Sequence, residues 1–208
     1  MKPLSECRLY GILDTGYVAA DRLTSTAFAL VSGGVDILQL RAKGLSRELV
    51  LGLARDIAPI CRGAGVPFIL NDHPDLVAEA GADGAHVGQE DMTVAEARLK
   101  AGPGALIGRS THSPEQARAT TGERPDYIGY GPLFPTPTKP DYIPVGTDSV
   151  AEVVREAGIP VFCIGGVREA NLPLVVAAGA DRVAIVSDLL LAEDPGAKAA
   201  ACRRLLPD

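Results

Sequence analysis

The segment QLRAK places Gln39, Arg41 and Lys43 at i, i+2 and i+4, so on an extended chain the three side chains share one face. Two cations on one face need an anion. Arg41 can grip phosphate oxygens through its planar fork, and Lys43 adds a point charge. A solvated strand end with an ordinary salt bridge is the competing explanation. Asp72 and Asp91 each follow a short apolar run, and carboxylates brought together by neighbouring strands repel. A hard cation such as Mg2+ resolves that repulsion, taking one or two carboxylates and filling its other positions with water and phosphate oxygens. Asp72 could equally cap the helix that follows. Asn71 beside it can hydrogen-bond the polar edge of a substrate.

GPLFPTPTKP, residues 131–140, holds four prolines with Thr136, Thr138 and Lys139 between them. Such a stretch is neither helix interior nor central strand, and it loses little entropy on ordering. It is either a rigid connector or a mount for those three polar side chains. Gly165 and Gly166 in CIGGV, and Val186 and Ser187 in AIVSD, supply main-chain N–H groups of the kind that receive a phosphate, although tight turns would also use the glycines. Of the three histidines, His73 and His86 read as structural, and His112 is a candidate proton shuttle with no partner in view. No spacing suggests a zinc site.

These residues need a scaffold, and one pattern recurs along the chain: an amphipathic stretch, a glycine stop, then a short Val/Ile/Leu run. Gly34, Gly65, Gly81, Gly158 and Gly179 suit the left-handed position that ends a helix. Thr93 with Glu96, and Ser113-Pro114 with Gln116, form capping-box patterns, and Asp194-Pro195 marks another helix start. The pattern predicts strands at 8–13, 36–40, 67–70, 84–87, 106–108, 127–130, 161–164 and 182–186. Helices are expected near 20–32, 46–63, 74–80, 93–100, 114–120, 148–157, 168–178 and 195–205. Eight alternating units predict an α/β fold, the (β/α)8 TIM barrel, as a single domain over residues 1–208. An open doubly wound sheet is the alternative, but it lacks its nucleotide-type glycine fingerprint here. In a barrel, chemistry gathers where strands end, and the polar residues above follow strands two to eight.

A formal charge of −6 and 4% aromatic residues exclude a nucleic-acid surface. Cys7, Cys61, Cys163 and Cys202 are far apart and flanked by apolar residues, as reduced core thiols are, which points to the cytoplasm. No membrane span or signal peptide is apparent, and a homo-oligomer stands open.

The motifs QLRAK, ND, GADGAHVGQED, GRSTHS, GPLFPTPTK, IGGV and VAIVS occur in the order found in thiamine phosphate synthases, and over nearly its whole length the chain resembles that family. The resemblance implies a transferase that joins a pyrimidinylmethyl diphosphate to the ring nitrogen of a thiazole phosphate, or its carboxylated form, with loss of pyrophosphate. It implies that Gln39, Arg41, Lys43 and Lys139 hold the diphosphate, that Asp72 and Asp91 bind Mg2+, and that Asn71 and Ser110 contact the pyrimidine ligand. Arg41, Lys43, Ser110 and Lys139 would carry the catalytic step. Thr136, Thr138, Gly166, Val186 and Ser187 would receive the thiazole phosphate. One departure is Asp188, where a small residue is expected; it adds charge near that phosphate or caps the next helix. The partners implied are two small phosphorylated substrates. Two other readings are a thiazole tautomerase, whose histidine would fall where Pro132 stands, and a non-catalytic sensor of phosphorylated precursors.

Overall fold

Each apolar run becomes a strand because its side chains alternate between two buried layers. The computed structural model describes residues 1–138 and 143–207. Strands β1 (Leu9–Asp14), β2 (Ile37–Arg41), β3 (Phe68–Asn71), β4 (Gly84–Val87), β5 (Leu106–Thr111), β6 (Tyr127–Tyr130), β7 (Val161–Ile164) and β8 (Val183–Ile185) pair in parallel, in chain order, and close into a barrel. The ring of helices comprises α1 (Leu23–Ser32), α2 (Arg47–Ala64), α3 (Val77–Ala80), α4 (Val94–Ala101), α5 (Pro114–Thr121), α6 (Val150–Ala157), α7 (Leu172–Ala177), α8 (Ser187–Leu190) and α9 (Pro195–Arg204). The fold is the expected (β/α)8 barrel. Among the described residues no helix is long and apolar enough to cross a membrane.

The punctuation behaves as its chemistry requires. Thr93 and Glu96 form a reciprocal capping box, and the Asp194 carboxylate accepts the Ala197 N–H. Ser113 accepts the Gln116 N–H, but the Gln116 side chain reaches His112 N instead of closing a box. The expected helices at 20–32, 74–80 and 168–178 each begin with a single 3-10 turn. The short helix α8, directly after β8, has no counterpart in the expectations: four residues are too few to show a period.

Alternation divides the apolar residues into two clusters. Leu9, Leu38, Phe68, Ile107, Ile128 and Cys163 belong to the layer between barrel and helices. Tyr10, Ile12, Ile37, Ile69, Tyr127 and Phe162 belong to the lumen. The rings of Tyr10, Tyr127 and Phe162 meet edge to face, with centroids 5.2–5.8 Å apart. Glycine makes room for them: a Cβ on Gly108 would lie 2.1 Å from Tyr127 Cζ and 2.5 Å from His86 Nδ1. All four cysteines are free and buried, and burial pushes the Cys7 thiol up to about 11, so these groups stay protonated.

The opposite end of the barrel is tied by Asp36. Its carboxylate accepts the N–H groups of Arg8 (2.9 Å) and Leu9 (3.0 Å), pairs with Lys2, and lies 3.2 Å from Arg203 Nε. Burial alone would raise its pKa, but Lys2 and the two N–H groups outweigh burial and hold it below the usual value.

Two outcomes are expected. Gly108→Ala should destabilise the barrel by about 3 kcal/mol, as overpacking does, measured by urea unfolding. Asp36→Asn should lose about 2 kcal/mol at pH 7, the worth of hydrogen bonds to a charged group. Because the folded carboxyl is the stronger acid, its contribution is complete above the unfolded value of about 3.9 and vanishes as pH falls through the lower folded value. The gap between wild type and Asp36→Asn should therefore close below about pH 4.

Candidate active site

A cavity opens at the carboxyl ends of the strands, and its floor is the polar edge of the lumen. Gln39 Nε2 donates to Tyr10 Oη (2.7 Å), Tyr10 Oη lies 2.9 Å from Tyr127 Oη, Tyr127 Oη lies 3.2 Å from His86 Nδ1, and His86 Nε2 lies 3.0 Å from Ser110 Oγ. Tyr10 Oη accepts from Gln39 and keeps a second lone pair and its own proton, so the Tyr10–Tyr127, Tyr127–His86 and His86–Ser110 contacts run in either direction, together with the His86 tautomer. Ser110 lines the cavity beside His86. Burial raises the pKa of both phenols, so the chain carries no phenolate at neutral pH.

Charged groups collect at one side of the mouth. The β1–β2 register sets Asp14 beside Arg41, and Asp14 Oδ2 lies 2.5 Å from Arg41 Nη1 while its Oδ1 accepts the Gly16 N–H at 2.8 Å. This leaves the other guanidinium donors of Arg41 for the cavity it lines. Lys43 lies beyond the end of β2, half exposed, with its Nζ 3.2 Å from Asp72 Oδ2. Asp72 adopts φ 63°, a left-handed conformation that turns the chain as it leaves β3. Asp91 closes a turn in which its Oδ2 accepts the Gly88 N–H at 2.6 Å. Burial, then the charge of Asp91, raises the Asp72 carboxyl above its usual value despite Lys43.

The far wall is main chain. Leu133 N donates to Ile164 O (2.8 Å) and Phe134 N to Gly165 O (3.0 Å), so the proline-rich loop starts bonded to the end of β7. Gly165 and Gly166 have φ 93° and 64°, and a Cβ on either would lie within 2.7 Å of Pro132 or Phe134 atoms. The two glycines thus serve tight packing and still face the cavity, together with Val186 and Ser187. Thr138 Oγ1 lies 2.9 Å from Tyr17 Oη, and Thr138 N donates to Thr136 Oγ1. Asp188 turns away from this wall: its Oδ2 accepts the Glu169 N–H at 2.9 Å, at the start of the turn before α7 rather than on the next helix.

Gln39, Arg41, Asn71, Ser110, Thr136, Thr138, Gly166, Val186 and Ser187 all line the one cavity. Lys43, Asp72 and Asp91 stand at its rim, outside the lining, and Lys139 lies outside the described residues. Three features escape the sequence reading. His86, set aside as structural, lines the cavity and links Tyr127 to Ser110. Asp14, which is absent from the expected site residues, stands directly after the apolar run YGIL, the signal that marks it as a strand end. Tyr10 and Tyr127 could be identified only by knowing which strand face turns inward. His112, the shuttle candidate, has its Nδ1 2.5 Å from Gly131 O.

A (β/α)8 barrel with a polar pocket at its strand ends, one side cationic and acidic, the other glycine-rich main chain, belongs to the class of barrel enzymes. The sequence model of the thiamine monophosphate synthase family matches residues 9–189. A thiamine-phosphate synthase of Bordetella avium is 43% identical over 206 residues, covering 96% of this chain and 94% of its own. One from Methanocella arvoryzae is 41% identical over 192 residues, covering 92% and 91%. Among solved structures, thiamine phosphate pyrophosphorylase from Pyrococcus furiosus superposes with a TM-score of 0.89 at 27% identity, covering 97% of this chain and 96% of that one. The chain belongs to the thiamine monophosphate synthase family, and its activity is that of a transferase, thiamine-phosphate synthase. The tautomerase and sensor readings find no support in these comparisons.

The geometry at Asp72 has a stability consequence. A carboxyl whose folded pKa is raised weakens the fold as pH rises from the ordinary Asp value through the raised one. Asp72→Asn, whose amide tolerates φ near +60°, should therefore raise the metal-free melting temperature at pH 7 by ~3 °C, equivalent to about 1 kcal/mol. The gain should be absent below about pH 4, where both forms are neutral. Thermal scans across pH, in chelator, check this.

Proposed function

We propose that the cavity joins 4-amino-2-methyl-5-pyrimidinylmethyl diphosphate to 4-methyl-5-(2-phosphoethyl)thiazole, or its carboxylated form, releasing pyrophosphate and forming thiamine phosphate. The observation that carries this reading is the division of the mouth: Arg41, Lys43, Asp72 and Asp91 on one side, and Gly166, Val186 and Ser187 with their main-chain groups on the other. One side suits a diphosphate with a divalent ion, the other a single phosphate.

The donor set fits Mg2+. Two adjacent carboxylates, one with its pKa raised by burial and then by the other's charge, gain from a hard cation between them, and Lys43 does not offset the rise. When bound, the ion would neutralise charge on the diphosphate and on the departing pyrophosphate. Gln39, Asn71 and Ser110 would orient the pyrimidine ligand, with Ser110 held from behind by its hydrogen bond to His86 Nε2. Arg41, Lys43 and Lys139 would meet the negative charge that develops as the carbon–oxygen bond breaks. The pyrimidine amino group feeds electron density to the methylene carbon, so no protein nucleophile is needed. Thr136, Thr138, Gly166, Val186 and Ser187 would hold the thiazole phosphate so that the ring nitrogen faces that carbon, which makes bond formation effectively unimolecular.

The test is a mixing assay with both substrates and Mg2+, followed for pyrophosphate and thiamine phosphate. Formation of both, abolished by chelation and restored by added Mg2+, is the expected result; binding of either substrate with no product would refute it. Lys139→Ala should lower turnover about 100-fold, as loss of one preorganised donor does, with unchanged circular dichroism.

A further inference from the structure

Arg109 is 5% exposed and sits in β5, opposite Val87 of β4. Alternation turns Gly108 and Ser110 inward, so Arg109 points outward into the apolar layer beneath α4, among neighbours such as Val87 and Ile107. Burying a guanidinium there is costly, and an apolar side chain would fill the place more cheaply. Its hydrogen bonds show what the cost achieves. Nη1 donates to Met92 O, Nη2 donates to Gln89 O at 3.3 Å, and Nε has no partner among the described residues. The two carbonyls flank Glu90 and Asp91, so one rigid fork grips both sides of the turn that presents Asp91.

The same turn is held elsewhere by β5. Gln89 Nε2 donates to Ser110 O (2.6 Å) and to Thr120 Oγ1 (3.2 Å), while Asp91 closes back on Gly88. Gly88 cannot carry a side chain without meeting Asp91, since a Cβ would lie 2.8 Å from Asp91 Oδ2. Only six residues, 88–93, link β4 to α4, and the capping box at Thr93 fixes their far end. A segment so short, held at both ends and at its middle, has one position for its carboxylate.

We infer that Arg109 is a positioning residue for the metal carboxylate: by gripping Gln89 O and Met92 O it fixes Asp91 beside Asp72. This rests on the assignment of Asp72 and Asp91 to the divalent ion. Removing a group that orients a ligand from behind typically costs 10–100-fold in metal affinity.

The experiment measures Mn2+ binding by electron paramagnetic resonance in the presence of inorganic pyrophosphate, with no turnover, on wild type, Arg109→Met and Asp91→Asn. Arg109→Met should bind Mn2+ about tenfold more weakly while keeping its melting temperature within about 3 °C, because an apolar isostere in a buried charge's place is often neutral or stabilising. A purely structural Arg109 gives the opposite pattern, a large fall in melting temperature with unchanged Mn2+ affinity, and that result overturns the inference. Weak binding in Asp91→Asn but not in Arg109→Met overturns the positioning role alone. Unchanged binding in both variants removes the metal assignment and the inference with it. If Arg109→Met does not fold, Arg109→Lys serves instead: its ammonium keeps the charge, cannot span both carbonyls, and should weaken Mn2+ binding by several-fold.

Discussion

The barrel is organised around the filling of its lumen. Tyr10, Tyr127 and Phe162 occupy the space that eight strands enclose, and they fit because β5 carries Gly108 where Tyr127 must lie. Phenols buried this deeply need hydrogen-bond partners, since an unsatisfied hydroxyl in an apolar interior costs several kcal/mol in the least favourable case. The partners available are Gln39, His86 and Ser110, which face the cavity. Packing therefore dictates the polarity of the pocket floor: the requirement to satisfy Tyr10 and Tyr127 places Gln39 and His86 there, with Ser110 bonded to His86.

A second constraint acts at the rim, where charge is left uncompensated. Arg41 has Asp14, but among the described residues Asp72 pairs with Lys43 alone and lies near the charge of Asp91. Natural folds tolerate such an imbalance where a ligand will complete it. In the proposed reaction the asymmetry between this side and the glycine-rich wall would separate two phosphorylated groups by charge type, one meeting side-chain cations, the other main-chain N–H groups.

Much of this was legible in the sequence. The eight strands follow from glycine stops and short apolar runs, and the motif order led to the family. Strand ends shifted by one to three residues because a strand's last pairing depends on its neighbour: β2 continues to Arg41 since β1 supplies Asp14 opposite it, and β5 runs to Thr111 since β6 pairs with it to Tyr130. The lumen network was not legible, because the facing of Tyr10, His86 and Tyr127 depends on how the closed barrel turns each strand. The outward placement of Arg109 was hidden for the same reason, and GRS by itself gives no sign that its arginine is buried.

The order of the strands has a consequence in time as well as in space. The cationic and acidic side of the mouth is drawn from the ends of β1 to β4, whereas the glycine wall comes from β7, β8 and the start of α8. The seam joining β8 to β1 consists of three register pairs and forms only when both ends of the barrel meet. A chain emerging from the ribosome thus exposes Arg41, Lys43, Asp72 and Asp91 before the wall opposite exists. Closure of the seam is then the event that turns a charged sheet edge into an enclosed pocket.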